Sequence, residues 1–376
     1  MLKEAAEKFV QEHIEETKEL LRTIGKIPSP SHEEDKRAAY VKGWLEGIGA
    51  EGVYIDAAKN VVWPVQVREG EPVAVVMAHT DIVFPDTEEL AMREEDGKLY
   101  APGIGDDTAN LVNLLMAAKY LTEQRSRMKQ GLLIVANSCE EGLGNLKGTR
   151  QIMEDYAGRV KELISLDGSM TWCINDAVGS HRYRVHIQAE GGHSYGNFGN
   201  QNAIACMAEL IHDLYQVEVP DEAKTTYNVG SVTGGTTVNS IAEECEILYE
   251  FRSESRSCLA KMEETFEQIV EAHRAKGVQI EVEVLGIRPC RGDVPEEALN
   301  ELTARVSEIM SHYTDQEIGT GAASTDANIP LSMGIPAVTY GTYRGKGAHT
   351  RGEWVELFSL QDGQRIALET VDMYTE

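Results

Sequence analysis

Apolar positions recur along this chain in two textures. Residues 1–25, MLKEAAEKFVQEHIEETKELLRTIG, repeat apolar side chains at helical spacing and stop near Gly25 and Pro28, which predicts an amphipathic helix. DKRAAYVKGWLEGIGA predicts a second helix with a glycine stop. VAVVMAH is continuous, apolar and β-branched, the pattern of a strand buried on both faces. DDTANLVNLLMAAKYLTEQ returns to helical spacing, GLLIVANSCEEG is a buried strand running into a polar loop, and KELISLDGS is a third such strand. Strands alternating with helices predict an α/β unit with a mostly parallel sheet.

Near residue 179 the texture changes. HRYRVHIQAEGGHSYG alternates apolar and polar instead of running apolar, and NAIACMAELIHDLYQ is an amphipathic helix. TTYNVGSVTGGTTVNSIAEECEILYEFRS gives two alternating strands around a Gly/Thr-rich turn. A helix over SCLAKMEETFEQIVEAHRAKG and another alternating strand, VQIEVEVLGI, complete an α+β pattern whose sheet has one wet face. After residue 288 the first texture resumes, with NELTARVSEIMSHY as helix, GIPAVTYG as strand and LFSLQDGQRIALETVDMYTE as a last helix. The economical organisation is one α/β domain, residues 1–178 plus 289–376, interrupted by an α+β insert over 179–288.

Composition narrows the function classes. Of the 376 residues, 42% are hydrophobic and 26% charged, a soluble globular profile with enough chain for two domains. No apolar run approaches the roughly 20 residues of a membrane span. The N-terminus lacks the apolar segment and cleavage site of a signal peptide, so the expected location is cytoplasmic. Lys plus Arg number 35 against 62 Asp plus Glu, a net charge of −27, which argues against nucleic-acid or anionic-membrane partners. The 6 cysteines show no CxxC spacing and no disulfide framework.

The candidate chemistry sits where apolar strands end. VVMAHTD delivers His79 and Asp81, GIGDD delivers Asp106 and Asp107, NSCEE delivers Glu140 and Glu141, and SLDGS delivers Asp167. GKGAHTRGE puts His349 in a glycine-rich loop after the strand PAVTYG. In open α/β sheets ligands collect outside the carboxyl ends of the strands. Histidines and carboxylates in this number suit divalent metals, and there are too many for one ion. Two ions sharing one carboxylate fit better, each with one histidine and one private carboxylate. Asp81, two residues from His79 on an extended chain, leaves the same face and is placed to accept the second imidazole N–H. Glu140 precedes Glu141 and points the other way, which makes it the general base and acid of a hydrolytic reaction.

With those residues in hand the chain resembles the co-catalytic metallopeptidase family of peptidase T, dipeptidase V, carboxypeptidase G, acetylornithine deacetylase and aminoacylase. The motifs that carry the likeness are AHTDIV, GIGDDTANL, SCEEGLG, LDGS, EGGHSYGNFGNQNAI, GGTTVNSI, STDANIP and GAHTRGE. The resemblance implies one metal on His79, Asp106 and Asp167 and a second on Asp106, Glu141 and His349, with Asp106 bridging. It implies Asp81 orienting His79, Glu140 as acid/base, and a cis peptide bond at Asp106-Asp107. It makes the insert a lid that carries the dimer interface of a homodimer. It implies an oxyanion-stabilising role for His193, substrate binding by Asn239, and a substrate-carboxylate role for Arg288. Ser324 and Thr325, in the loop with Asp326, are expected to line the pocket.

Within the family, aspartate at position 167 goes with aminopeptidases and dipeptidases, while carboxypeptidases and deacetylases tend to carry glutamate. The expected function is therefore metal-dependent hydrolysis of short peptides, with two divalent ions, zinc first and manganese or cobalt suited to the same donors. The rivals are an N-acyl amino acid amidohydrolase with the same chemistry, and a metal-binding homologue without activity. Tyr195 after Ser194 departs from the family's histidine motif and bears on the shape of the substrate pocket.

Overall fold

The computed structural model describes residues 2–376, which divide into two compact units. One comprises the residues through Ala177 together with Gly292–Glu376, and the other is Val178–Arg291.

The larger unit is built on a mixed, mostly parallel sheet. In spatial order its strands are Tyr54–Ile55, Val61–Val65, Gly131–Asn137, Val73–His79, Val160–Leu166, Ala337–Tyr340, Trp172–Ala177 and Gly319–Ala323. The central strands are parallel: Val76 lies opposite Ile134 on one side and Ile164 on the other, and Tyr340 lies opposite Leu166. Val73–His79 and Gly131–Asn137 are buried at every position, which is why they read as unbroken apolar runs. Parallel register also puts the carboxyl ends of these strands at one edge, so His79, Asn137 and Leu166 end together. Helices Glu4–Gly25, Asn110–Gln124 and Ser359–Asp372 pack on one another and share one apolar core with the sheet.

Several short elements carry no readable period. Four strands of two or three residues form a second antiparallel sheet, in the order Gly345–Lys346, Trp354–Glu356, Lys98–Tyr100 and Arg93–Glu95. Trp354 pairs with Tyr100 and Lys346 with Trp354. This small sheet brings the chain before Asp106 alongside the hairpin loop that carries His349.

In the smaller unit, Thr225–Gly234, Glu244–Ser253, Gly179–Gln188 and Gln279–Arg288 form a fully antiparallel sheet in that order. Helices Ala203–Leu214 and Arg256–Ala275 cover it, and the inward residues Tyr183, Val185, Ile247, Tyr249 and Phe251 build a second core. Among the described residues no helix is long and apolar enough to cross a membrane.

Gly363 tests how tightly the larger unit is packed. It lies inside the helix Ser359–Asp372, where alanine is ordinarily better by about 1 kcal/mol. Here a Cβ would overlap the Thr342 carbonyl oxygen and press on Asn113 Nδ2, which donates to that same oxygen at 3.0 Å. Gly363→Ala is therefore expected to destabilise by about 2 kcal/mol or more. The check is the urea midpoint; a midpoint at or above that of the wild type would show that the helix can shift to make room.

Candidate metal centre

The geometry of the site follows from the strand ends. His79 is the last residue of its strand and is almost fully buried. Its Nδ1 lies 3.0 Å from the main-chain oxygen of Asp81, and a carbonyl only accepts, so Nδ1 carries a proton. In the neutral ring Nε2 is then a lone pair, and it lies 3.0 Å from Asp106 Oδ1. Two acceptors at that separation need a proton or a cation between them.

Asp106 lies in an irregular turn, Ile104–Ala109, that feeds the helix Asn110–Gln124; the Asp106-Asp107 peptide bond is cis. The second oxygen of Asp106, Oδ2, lies 3.1 Å from His349 Nε2, and the same nitrogen lies 3.2 Å from Glu141 Oε1. Asp106 thus turns one oxygen to each imidazole. Ligand atoms of His79, Asp106, Asp107 and Asp167 lie within 4.8 Å of one another, as do those of Asp106, Glu141 and His349, and those of His79, Glu140 and Glu141.

The electrostatics follow from crowding. Burial would raise the Asp106 carboxyl, but the two imidazoles beside it outweigh burial and hold it below the usual range. Burial likewise disfavours charge on His79, yet Asp107, Asp106 and Asp81 keep its pKa well above the ordinary value. Hydrogen bonds to Asp106 and Glu141 raise His349 to about 10. Burial, followed by the Asp106 charge, raises Asp167 to about 7.

Asp81 does more than face His79. Its Oδ1 is 3.4 Å from His79 Nδ1, farther than the main-chain oxygen. The same carboxylate accepts the N–H groups of Glu140 at 3.0 Å and Glu141 at 2.9 Å, and the Ser31 hydroxyl at 2.6 Å. It fixes the Glu140-Glu141 turn as well as the imidazole. The carboxylate oxygens of Asp107 accept the His79 N–H and the Asn110 amide. Arg37, fully buried, donates to the carbonyls of Thr80 and Ile27. Burial lowers its pKa to about 10, against the pull of Asp81 and Asp107.

Glu353 was not singled out by strand-end reasoning. Its buried carboxylate accepts the N–H groups of Gly103, Gly105 and Asp106 at 2.8, 2.9 and 2.7 Å. The Trp354–Tyr100 pairing brings it there. The signal available in the sequence was its position four residues after His349 in GAHTRGE. Thr325 is turned inward: its hydroxyl is 2.9 Å from that of Thr339, and its N–H donates to Asn328 Oδ1. Its side chain is buried in the fold, while Ser324 beside it is half-buried.

In the smaller unit, His193 and Asn239 stand on one short ribbon, where Gly192–His193 pairs with Ser240–Ile241. The N–H groups of Tyr195 and Gly196 both donate to His193 Nδ1 at 3.2 Å. Nε2 therefore carries the proton of the neutral ring and is the exposed donor. The ribbon borders a cavity of about 810 Å³ lined by His186, His193, Thr237 and Asn239 among others. Arg288 is buried at the end of its strand, opposite Ser180, which also faces Arg252 across the sheet.

Residues 75–373, a span that holds His79, Asp106, Glu140, Glu141, Asp167 and His349, match the description "Peptidase family M20/M25/M40". The chain belongs to this family. Acetylornithine deacetylase of Myxococcus xanthus is 25% identical over 334 residues, covering 84% of this chain and 83% of that protein. The fold is that of a tripeptidase from Staphylococcus aureus, with a TM-score of 0.77 at 20% identity over 96% of this chain and 98% of the other. It is also that of a dinuclear metal-binding M20 peptidase from Bacillus subtilis, with a TM-score of 0.65 at 17% identity over 97% and 99% of the two chains. The protein is a metal-dependent hydrolase, and its clustered imidazoles and carboxylates are able to hold metal ions.

Two measurements bear on the centre. The surrounding carboxylates raise both His79 and His349, which favours the protonated rings without metal, so a metal held there would compete with protons. Metal binding should release protons, and apparent affinity should climb as pH rises from 6 to 8. Titration calorimetry in buffers of differing ionisation enthalpy reads this directly; a pH-independent affinity would show that the imidazoles are not ligands. Glu353→Ala frees three N–H groups under the Asp106 turn and should weaken metal binding by about 10- to 100-fold. Metal content after dialysis against dilute chelator tests it, and retention equal to the wild type would show that the turn holds its shape unaided.

Proposed function

We propose that this protein is a two-metal exopeptidase that releases the N-terminal residue from di- and tripeptides. The observation that carries the reading is the Asp106 carboxylate, one oxygen 3.0 Å from His79 Nε2 and the other 3.1 Å from His349 Nε2. This donor set fits a pair of divalent ions, with His79, Asp106 and Asp167 for one and Asp106, Glu141 and His349 for the other. Zinc is the first choice, and manganese or cobalt suits the same donors. Bound there, the ions would supply Lewis acidity that lowers the pKa of a water and polarises the scissile carbonyl.

The chain's own groups do the rest. Glu140, almost buried beside His79 and Glu141, takes a proton from the attacking water and returns it to the departing nitrogen. His193 offers its Nε2–H to the developing oxyanion, the donor its tautomer supports. Asn239 holds the substrate backbone, Arg288 takes the peptide carboxylate through its planar fork, and Ser324 borders the bound peptide.

The Val178–Arg291 unit serves as lid and as the interface of a homodimer. The long outward run of the edge strand Thr225–Gly234, with Val232 exposed, supports this. Six free cysteines support a reducing, cytoplasmic setting.

Aspartate at position 167 favours peptides over acylated amino acids. The 25% identity to a deacetylase favours the second reading, an N-acyl amino acid amidohydrolase.

The deciding assay strips metal with chelator, restores zinc, manganese or cobalt, and follows amino acid release from di- and tripeptides, free and N-acylated. Free peptides should be cleaved only with metal. Glu140→Gln should lose on the order of a thousandfold in kcat with both metals bound. Cleavage confined to the acylated compounds would replace the exopeptidase with the amidohydrolase.

A further inference from the structure

The turn that presents Glu140 is held by side chains from far along the chain. Four consecutive N–H groups each donate to a side-chain oxygen. Ser138 donates to Asn60 Oδ1 at 2.9 Å and Cys139 to Glu34 Oε1 at 3.1 Å. Glu140 and Glu141 donate to the two oxygens of Asp81. At the centre Cys139 takes a left-handed backbone, φ 57°, which a side chain with a Cβ adopts only when its surroundings impose it. That reversal points the N–H groups of Glu140 and Glu141 at one carboxylate.

Glu34 holds this turn from outside the strand ends. It is fully buried at the start of the helix Asp35–Gly47, beside no cation at hydrogen-bond distance: Lys59 Nζ is 4.0 Å from Oε2. Oε1 accepts the His32 N–H at 2.8 Å, the Cys139 N–H, and the Cys139 thiol at 3.1 Å. Oε2 has no hydrogen-bond partner among the described residues. A buried carboxylate with one oxygen unmatched is costly to keep, and an apolar side chain in its place would leave the Cys139 and His32 N–H groups without this acceptor. What Glu34 secures is the main chain of Cys139, next to Glu140.

We propose that Glu34 is a positioning residue for the reaction: by anchoring Cys139 in its left-handed turn it sets where the Glu140 carboxylate stands relative to Asp106. This rests on the hydrolytic role given to Glu140 above. Asn60 and Asp81 hold the residues on either side. At Cys139 itself the Leu146 N–H donates to the carbonyl at 2.9 Å, and Glu34 accepts the N–H.

The test compares zinc-loaded wild type, Glu34→Ala, Glu34→Gln and Glu140→Gln on a tripeptide that the wild type cleaves. Glu34→Ala should lose on the order of 10- to 100-fold in kcat while keeping its metal content. Its KM should stay within about twofold. Glu34→Gln keeps an acceptor oxygen for the Cys139 N–H and should recover most of the rate. Glycine takes a left-handed φ freely, so Glu34→Ala combined with Cys139→Gly should also regain activity. An unchanged kcat in Glu34→Ala, a Glu34→Gln variant as damaged as Glu34→Ala, or metal lost in step with rate would each overturn the proposal.

The rate of deuterium labelling at the Cys139 N–H, read by mass spectrometry, decides the anchor without any turnover. It should rise in Glu34→Ala and stay near wild type in Glu34→Gln; no rise in Glu34→Ala overturns the proposal. Should Glu34→Ala not fold, Glu34→Gln and the Cys139→Gly double variant carry the comparison. Full activity in Glu140→Gln, by contrast, removes the hydrolytic reading itself and leaves the labelling result to judge the anchor.

Discussion

Carboxylates gathered in a buried place repel one another, and the catalytic edge of the sheet is arranged around that fact. Asp81, Asp106, Asp107, Glu140, Glu141, Asp167 and Glu353 crowd one end of the central strands. The chain resolves the repulsion in three ways. Asp81 and Glu353 turn their oxygens to main-chain N–H groups, which fixes two turns at once. Burial pushes Asp167 and Glu353 to about 7 and Asp107 well above its usual value, which lowers the charge they carry. Asp106 and Asp81 are driven the other way against burial, Asp106 by an imidazole on each oxygen and Asp81 by His79, Ser31 and the Glu141 N–H. What remains uncompensated lies around His79, Asp106, Glu141, Asp167 and His349, where divalent cations would remove the repulsion at its source.

The same constraint explains which parts of the site were legible in the sequence. A candidate ligand at the end of a buried strand announces itself, because an apolar run such as VAVVMA stops abruptly at a polar residue. His79, Glu141 and Asp167 were singled out that way as candidates, and the strand over Ala337–Tyr340 pointed to His349. The groups that hold those ligands in place give no such signal. Glu34, Arg37 and Glu353 sit in helix starts and loops where a charged residue ordinarily faces water. Only the tertiary structure shows that each is buried and aimed at a main-chain group. Thr325, which the resemblance places with Ser324 in a pocket-lining loop, has its hydroxyl 2.9 Å from that of Thr339.

The fold divides along similar lines. Long elements with a clear period, from Glu4–Gly25 through Val73–His79 to Ser359–Asp372, could be read directly, as could the shift from continuous to alternating strands that separates the two kinds of sheet. The two-residue and three-residue strands could not, because a period needs more repeats than they contain. The four-stranded sheet of such fragments is nevertheless what carries the His349 hairpin to Asp106. Its strands add only Leu99 and Val355 to the fully buried core; their larger contribution is register, which fixes where Glu353 meets the Asp106 turn.

The two histidines of the centre therefore stand on unlike supports. His79 is buried at the end of a strand hydrogen-bonded on both sides, with its N–H held by Asp107 and its ring by Asp81. His349 is exposed, has a positive φ of 63°, and lies in a loop tied down by Glu353 and by an exposed Arg351–Asp86 pair. Exposed pairs of that kind hold weakly. The grip on the His349 side of Asp106 thus comes mainly from main-chain bonds to one buried carboxylate, whereas the His79 side is fixed by the sheet itself. A single aspartate that bridges the two sides must take its position from both, and the Glu353 bonds to the Gly103–Asp106 turn are where the weaker support is made to match the stronger.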